Sequence, residues 1–540
     1  MFKKEVLLNL IYNPQEEYDK KYKSLHYENT VKFFNELAEK SGVNQEENKK
    51  TILEHDEWIR RAKKLEKKIF WLKFLRVLMI ITIVLIPLVI IKTTPKIKKL
   101  KGQANEFRTN AEKLIELAKK QVAPLNSLFS ERDCINLIES TIEGIKFEPY
   151  FSAKQEENMT LNFDFEQDES EHSTLDTLAG HYNQNPFLFE TKRIHTMGQE
   201  TYHGYKTISW TETYRDSNGR LRTRRRTQTL HATVVKPKPF YRNQVVLSYC
   251  AQGGPELSFT RDATNLDDKS EKQLERYVKK GEKRLKKKTD KALQKNVEFT
   301  SMSNTDFEVM FDALDRDNEV QFRTLFTPLA QTNMVDLITS KTGYGDDFHF
   351  IKKRRTNRII TEHSQKRAVV MNASSYVSHS FEEIKNNFIG KNEEFFKSVY
   401  FDFAPIWAIP IYQEEPVHSL DPIPNLAKVY AQKECEALAN LISLEHIVHP
   451  QTKTPAILKA SPLGSNQSVD QVKITAYSYD IIGQVDFVSV IGGDGRWHSV
   501  PVPWDEYIPL TANSQFFVAE EDLAKEKNIM AKRKNVCIYN

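Results

Sequence analysis

A chain of 540 residues with 28% charged side chains and a mean hydropathy of −0.56 is not a multi-span membrane protein, and its length predicts about two to four domains. Its 78 lysines and arginines against 73 aspartates and glutamates leave a net charge of +5, too mild to imply nucleic acid by itself. Cys134, Cys250, Cys435 and Cys537 are far apart and form no CxxC pair, which supports neither a disulfide scaffold nor a zinc site.

Residues 1–68 read as a helical N-terminal region. In "YENTVKFFNELAEK", Val31, Phe34, Leu37 and Ala38 recur at helical spacing. "DEWIRRAKKLEKKIFW" continues the helix as a short bundle or coiled coil. From Val77 to Ile91 no residue is charged, and only Lys73 and Arg76 interrupt the apolar character back to Ile69. Trp71 stands where an interfacial aromatic belongs, and Pro87 is tolerated inside a membrane helix. A transmembrane helix over 69–92 is therefore expected, in a cell-membrane protein with the lipid bilayer as first partner. A signal peptide does not fit, because the run begins after 68 residues rich in charge. Arg60, Arg61, Lys63, Lys64, Lys67 and Lys68 precede it; Lys92, Lys96, Lys98, Lys99 and Lys101 follow it. The balance leans to a cytoplasmic N-terminus but leaves orientation open.

Residues 93–150 read as juxtamembrane helices, with a break at Pro124. Residues 151–265 read as a β-rich domain. Its segment "YHGYKTISWTETYRDSNGRLRTRRRTQTLHATVVKPKPFY" predicts a hairpin turning at Asn218-Gly219 and closing at "KPKP". Residues 266–296 form a charged helix, with Leu274, Val278, Leu285 and Leu293 near one stripe and Gly281 as a weak point. An α+β domain over 297–445 and a C-terminal β-rich domain over 446–540 complete the chain. A helix over Pro422–Leu444 belongs to the former, and "VDFVSVIGGDGRWHSVPVPW" predicts a Gly-Asp-Gly hairpin in the latter. The expected fold class is α+β: a single transmembrane helix with long helices, then mixed α/β and β-rich domains.

Arg220, Arg222, Arg224 and Arg226 recur at period two, which places them on one face of the hairpin's second strand. Such a face suits acidic lipid headgroups or an acidic protein partner. Nucleic acid is the weaker match, because no stacking aromatics interleave the arginines; a solvated hairpin is the bland alternative.

Other segments carry less chemistry. "DRDNEVQFRTLF" places Asp315, Asp317 and Glu319 like a calcium loop, but Val320 and Phe326 occupy the positions of the required Gly and Glu. "GYGDDFHF", with Asp346, Asp347 and His349, reads as a surface turn. "YFDFAPIWAIPIY" reads as a buried strand or packed loop. "IGGDGRWHS" lacks the Lys-Ser/Thr of a phosphate loop, and neither HExxH nor GxSxG occurs. No cofactor and no metal ligand set is expected.

"DFEVMFDALDRDNEVQFRTLFTPLAQTNMVDLI" resembles the hallmark of an uncharacterised family of bacterial membrane-anchored proteins, known only as a domain of unknown function. Phe307 and Phe311 match its phenylalanine pair, and Arg323, Thr327 and Pro328 its second part. Phe326 replaces the usual leucine, and the spacing is one residue longer. The resemblance covers about residues 60 to 360; the C-terminal 150 or so residues resemble an addition of a type found in wall-less bacteria. It implies a membrane anchor followed by a β-rich region, and no activity. Physically, the phenylalanines read as core anchors and Thr327-Pro328 as a helix start.

Three functions follow as expectations: a non-enzymatic interaction or scaffold protein at the membrane, an anchored enzyme with a dispersed site, or a reader of acidic lipid or nucleic acid through the arginine hairpin. A pocket with convergent ionisable groups would favour the enzyme. Oligomeric state is not legible.

Overall fold

The computed structural model describes all residues except 1–9, 82–85, 167–170, 296–298, 417–429, 442–443, 467–468, 520–535 and 539–540. In chain order the first elements are α1 (Pro14–Glu17), α2 (Lys23–Ser41), α3 (Gln45–Ile81), α4 (Ile86–Asn126) and α5 (Arg132–Thr141). Then come β1 (Ile145–Phe147), α6 (Ala153–Phe163), β2 (His172–Tyr182), β3 (Asn185–Arg215), β4 (Leu221–Cys250), β5 (Ser258–Arg261) and α7 (Glu271–Lys295). Next are α8 (Thr305–Phe311), α9 (Glu319–Leu325), α10 (Pro328–Thr339), β6 (Phe348–Lys353), β7 (Thr356–Thr361) and α11 (Phe381–Trp407). Last are α12 (Gln432–Leu441), β8 (Ile457–Asn466), β9 (Val469–Ile491), β10 (Trp497–Ala519) and β11 (Val536–Ile538). Two compact units result, neither continuous in sequence: residues 16–143 with 370–400, and residues 1–15, 144–369 and 401–540.

The helical unit centres on α3 and α4, which run antiparallel. Asn48 donates to Gln121 (3.3 Å), Trp58 packs on Phe107 (5.1 Å between centroids) and Glu66 pairs with Arg108 (2.6 Å). Buried residues recur at multiples of seven: Asn48, Ala62 and Ile69 in α3, and Ile97, Ala104, Ala111, Ala118 and Leu125 in α4. That spacing keeps one seam facing the partner helix, and the alanines let the backbones approach closely. Phe34, Val122, Leu125, Leu137, Tyr376, Phe381, Ile384 and Phe388 form the core beside it.

This pairing corrects the expected single transmembrane helix over 69–92. Among the described residues no helix is long and apolar enough to cross a membrane. The apolar run is divided between α3, which ends at Ile81, and α4, which begins at Ile86; residues 82–85 lie outside the described residues. A span needs about 20 apolar residues in one helix, and the heptads on both flanks instead commit α3 and α4 to each other. The expected break at Pro124 is also absent, since α4 continues through it to Asn126.

The second unit is built on a seven-stranded antiparallel sheet in the order β1-β2-β3-β4-β7-β6-β5, and a four-stranded one in the order β11-β10-β9-β8. "YFDFAPIWAIPIY" is neither strand nor loop at its start. It is the end of α11, running through Pro405, followed by a short 3-10 turn at Pro410–Gln413. Its apolar character serves the core: Phe403 packs edge-on against Phe187 and Phe189, and stacks on Trp407.

Gly281 is less a weak point of α7 than a close-approach site. A Cβ there would run into the Val309 side chain of α8. α12 brings a run of charge into the interior. Lys433 donates to Glu190 (2.7 Å), which also meets Lys192 (3.0 Å). Glu434 accepts from the Phe151 amide (3.0 Å) and the Thr177 hydroxyl (2.5 Å), and Glu436 from the Thr174 amide (3.0 Å). Burial pushes the Glu190 carboxyl up, but the two ammonium groups outweigh it and hold it well below the usual range.

Candidate functional site

β3 and β4 pair without interruption from Phe187↔Tyr249 to Arg215↔Leu221. β2 accompanies β3 only to Ile194, and β7 accompanies β4 only over Leu247–Cys250. Beyond these points the ribbon leaves its sheet as a two-stranded arm. The hairpin β9–β10 lies against its face. Ile208, Leu230 and Ala232 of the first ribbon share a core with Val500 and Val502 of the second, joined by Trp210, Val488 and Val490. Gly204 permits the contact, since a Cβ there would strike the Pro501 carbonyl. Lys206 donates to the Ser499 carbonyl (2.9 Å), and the Gly493 amide to Gln228 (2.7 Å).

The arm ends in the Asp216–Gly219 turn. Asp216 accepts from the amides of Asn218 and Arg220 (3.0 Å each), and Gly219 takes the positive φ of +75° that glycine tolerates. The four arginines singled out by their spacing are all exposed here. Arg222 pairs with Asp216 (2.8 Å), and Arg224 and Arg226 both pair with Glu212 (2.9 and 2.7 Å). Arg224 also lies over the Tyr214 ring, 5.2 Å from its centroid. Arg220 sits in the turn. Arg215, Arg220 and Arg225 have no carboxylate partner among the described residues; Arg225 donates to Ser209 (3.1 Å). Within 209–226, six arginines face only Glu212 and Asp216. Leu221, beside the turn, is 69% exposed; the tip of the second hairpin, which meets the arm at Gln228, exposes Trp497 (71%) and Ile491 (56%).

At the base of the arm the two sheets enclose a cleft of about 360 Å³. One wall is the outer face of the four-stranded sheet: Ile457 and Lys459 from β8, Tyr477 and Tyr479 from β9, Pro509 and Thr511 from β10. The other carries His195 of β3 and Tyr241 of β4, with Glu171 just before β2. Glu171 holds His195 twice, accepting its amide (2.9 Å) and facing Nδ1 with a carboxylate oxygen (3.1 Å). His195 Nε2 lies 3.3 Å from the Tyr479 hydroxyl, and Tyr241 donates to Thr454 (3.3 Å). The His195 ring lies between Tyr241 and Tyr479, at 5.3 and 5.6 Å. Burial, followed by the charge of Glu171, raises Tyr479, so its phenol stays protonated near neutral pH. Residue spacing along the chain does not reveal this cleft. Its one signal is "ITAYSYD", where Tyr477 and Tyr479 alternate onto one strand face.

Phe307, Phe311, Arg323, Thr327 and Pro328 lie elsewhere in the same unit. Phe307 and Phe311 stack at 5.2 Å, fully buried, within a ring cluster including Phe259, Phe322, Phe326 and Phe350. Arg323 donates to the carbonyls of Thr300 (2.9 Å) and Ser301 (3.1 Å). Thr327 caps α10 by accepting from the Ala330 amide (3.3 Å), with Pro328 in the first turn. Asp315 and Asp317 accept the Thr260 and Ser258 amides (2.9 and 2.7 Å), covering one edge of β5.

"GYGDDFHF" is not simply a surface turn. Asp346 is fully buried against Arg261 and accepts from the amides of Thr264 (3.1 Å) and Leu266 (3.0 Å). Asp347 meets His363 (2.5 Å), and His349 meets Asp262 (3.0 Å). Among the described residues no cluster could hold a metal ion. The chain matches no family model, no curated protein and no solved structure.

Proposed function

We propose that this is a non-enzymatic interaction protein whose β arm engages an anionic lipid surface. The observation that carries the reading is the composition of the arm's end: six arginines against two carboxylates, with exposed Leu221 beside the turn and exposed Trp497 and Ile491 on the tip of the hairpin that packs on the arm. Basic groups near an acidic bilayer each contribute about 1 kcal/mol, and apolar side chains that enter the headgroup layer add burial a free polyanion does not offer. Arginine suits phosphate because its planar fork donates two hydrogen bonds at once. Nucleic acid is disfavoured, because Tyr214 is already covered by Arg224 and no row of free aromatic faces follows the arginines.

Sedimentation with vesicles of phosphatidylcholine, with and without phosphatidylserine, tests this. Binding is expected only with phosphatidylserine and falls as salt rises. Arg222→Glu combined with Arg224→Glu weakens it by about thirty-fold or more, at roughly 1 kcal/mol per arginine lost. Equal binding to neutral vesicles, or an unaffected double variant, overturns the proposal. Stronger binding to an oligonucleotide than to acidic vesicles replaces it with the nucleic-acid reading.

A further inference from the structure

The cleft at the base of the arm has a chemistry unrelated to the arginines. We propose that it binds a single polyhydroxylated ring, a sugar residue, held face-on by Tyr477 and Tyr479. A carboxylate can only accept, so Glu171 takes the proton on His195 Nδ1. When Nε2 carries no proton it is an acceptor, and the Tyr479 hydroxyl, 3.3 Å away, donates to it. Tyr479 therefore turns oxygen lone pairs to the cleft. Tyr241 does likewise, because its proton goes to Thr454. Glu171, whose side chain is 74% exposed, keeps its second oxygen for a ligand. The cleft is rich in acceptors and calls for a ligand carrying several O–H donors.

The remaining features narrow the class. Tyr477, 48% exposed, and Tyr479 stand two apart on one strand face and line the cleft together with Ile457 and Pro509, which gives it an aromatic and apolar side. The volume of about 360 Å³ lies at the small end of ligand pockets and suits one ring rather than an extended chain. Charge argues against an ion. The lining carries one carboxylate, Glu171, and one ammonium, Lys459, which also lies 3.8 Å from buried Glu436. A neutral ring with an apolar face and a rim of hydroxyls fits that mixture better than a cation or an anion.

The test is saturation-transfer NMR on the full chain with glucose, galactose, mannose and N-acetylglucosamine, each alone. At least one is expected to show transfer, with a Kd of about 1 mM, as befits a ligand of a dozen or so heavy atoms. Tyr477→Ala and Glu171→Gln alter exposed side chains and leave the fold intact; each should weaken binding about tenfold or more. Tyr479→Phe, which keeps the ring and removes the acceptor oxygen, should weaken it as well. Absence of transfer from all four sugars overturns the proposal, as does transfer that survives both exposed variants. Glu171-dependent binding of tetramethylammonium in place of the sugars would overturn it in favour of a cation cage. None of these outcomes bears on vesicle binding by the arm.

Discussion

At the scale of single residues, the interior holds polar groups whose partners come from distant parts of the chain. Arg261 and Asp346 are both fully buried, and Asp346 collects two backbone amides and the Thr264 hydroxyl besides. Such a pair is needed because each member would leave a buried charge without the other. His26 in the helical unit shows the opposite solution. It stacks on Phe396 at 3.9 Å between centroids, meets the Thr141 hydroxyl at 3.0 Å, and stays neutral because burial pulls its pKa from 6.5 down to about 3. As pH falls below about 6.5, the unfolded chain takes up a proton that the folded chain refuses. The stability His26 allows is therefore complete above that pH and is lost as pH falls toward about 3. The slope approaches about 1.4 kcal/mol per pH unit. Urea unfolding of His26→Phe, compared with the parent at about pH 7 and about pH 5, should show a smaller acid loss in the variant; an equal loss would assign the acid sensitivity to other groups.

Single elements here are long, and their length is what sequence periodicity reads best. The heptads of α3 and α4 are visible in Ala62, Ala104, Ala111 and Ala118, and their smallness sets how closely the helices approach. Ala118→Leu adds three carbons at a fully buried seam position, and should cost about 1–3 kcal/mol by overpacking. Circular dichroism followed through a thermal ramp would register it as a lowered helical transition, and an unchanged melt would mean that the seam is loose. The two ribbons are equally plain in outline: alternation marks the strands, and Asn218-Gly219 and Gly492–Gly495 mark the turns. What alternation does not say is which ribbon covers which. That depends on Gly204, whose missing side chain admits Pro501 and Val502.

At the scale of the whole molecule, neither unit is continuous in sequence, so contacts of great sequence separation hold each unit together within itself. Gln413 is one such link: its side chain accepts from the Ile11 amide and donates to the Ile11 carbonyl, each at 2.8 Å, across 402 residues. Gln413→Ala leaves both backbone groups buried and unpaired, at a cost of about 1–3 kcal/mol each. Hydrogen exchange at Ile11 should accelerate strongly in that variant, and unchanged protection would show that Asn333 and the neighbouring packing suffice. The sequence by itself determined the mixed α+β character, the arginine-bearing hairpin with its turn, and the cap at Thr327-Pro328, because each is written in residues a few positions apart. Tertiary structure alone decided that the apolar run is shared between two antiparallel helices rather than spent on one spanning helix, since the choice lies in how its heptad flanks pair. It alone also assembled Glu171, His195, Tyr241 and Tyr479 around one cleft. Those side chains come from strands separated by up to about three hundred residues, and no local pattern records which strand faces will meet.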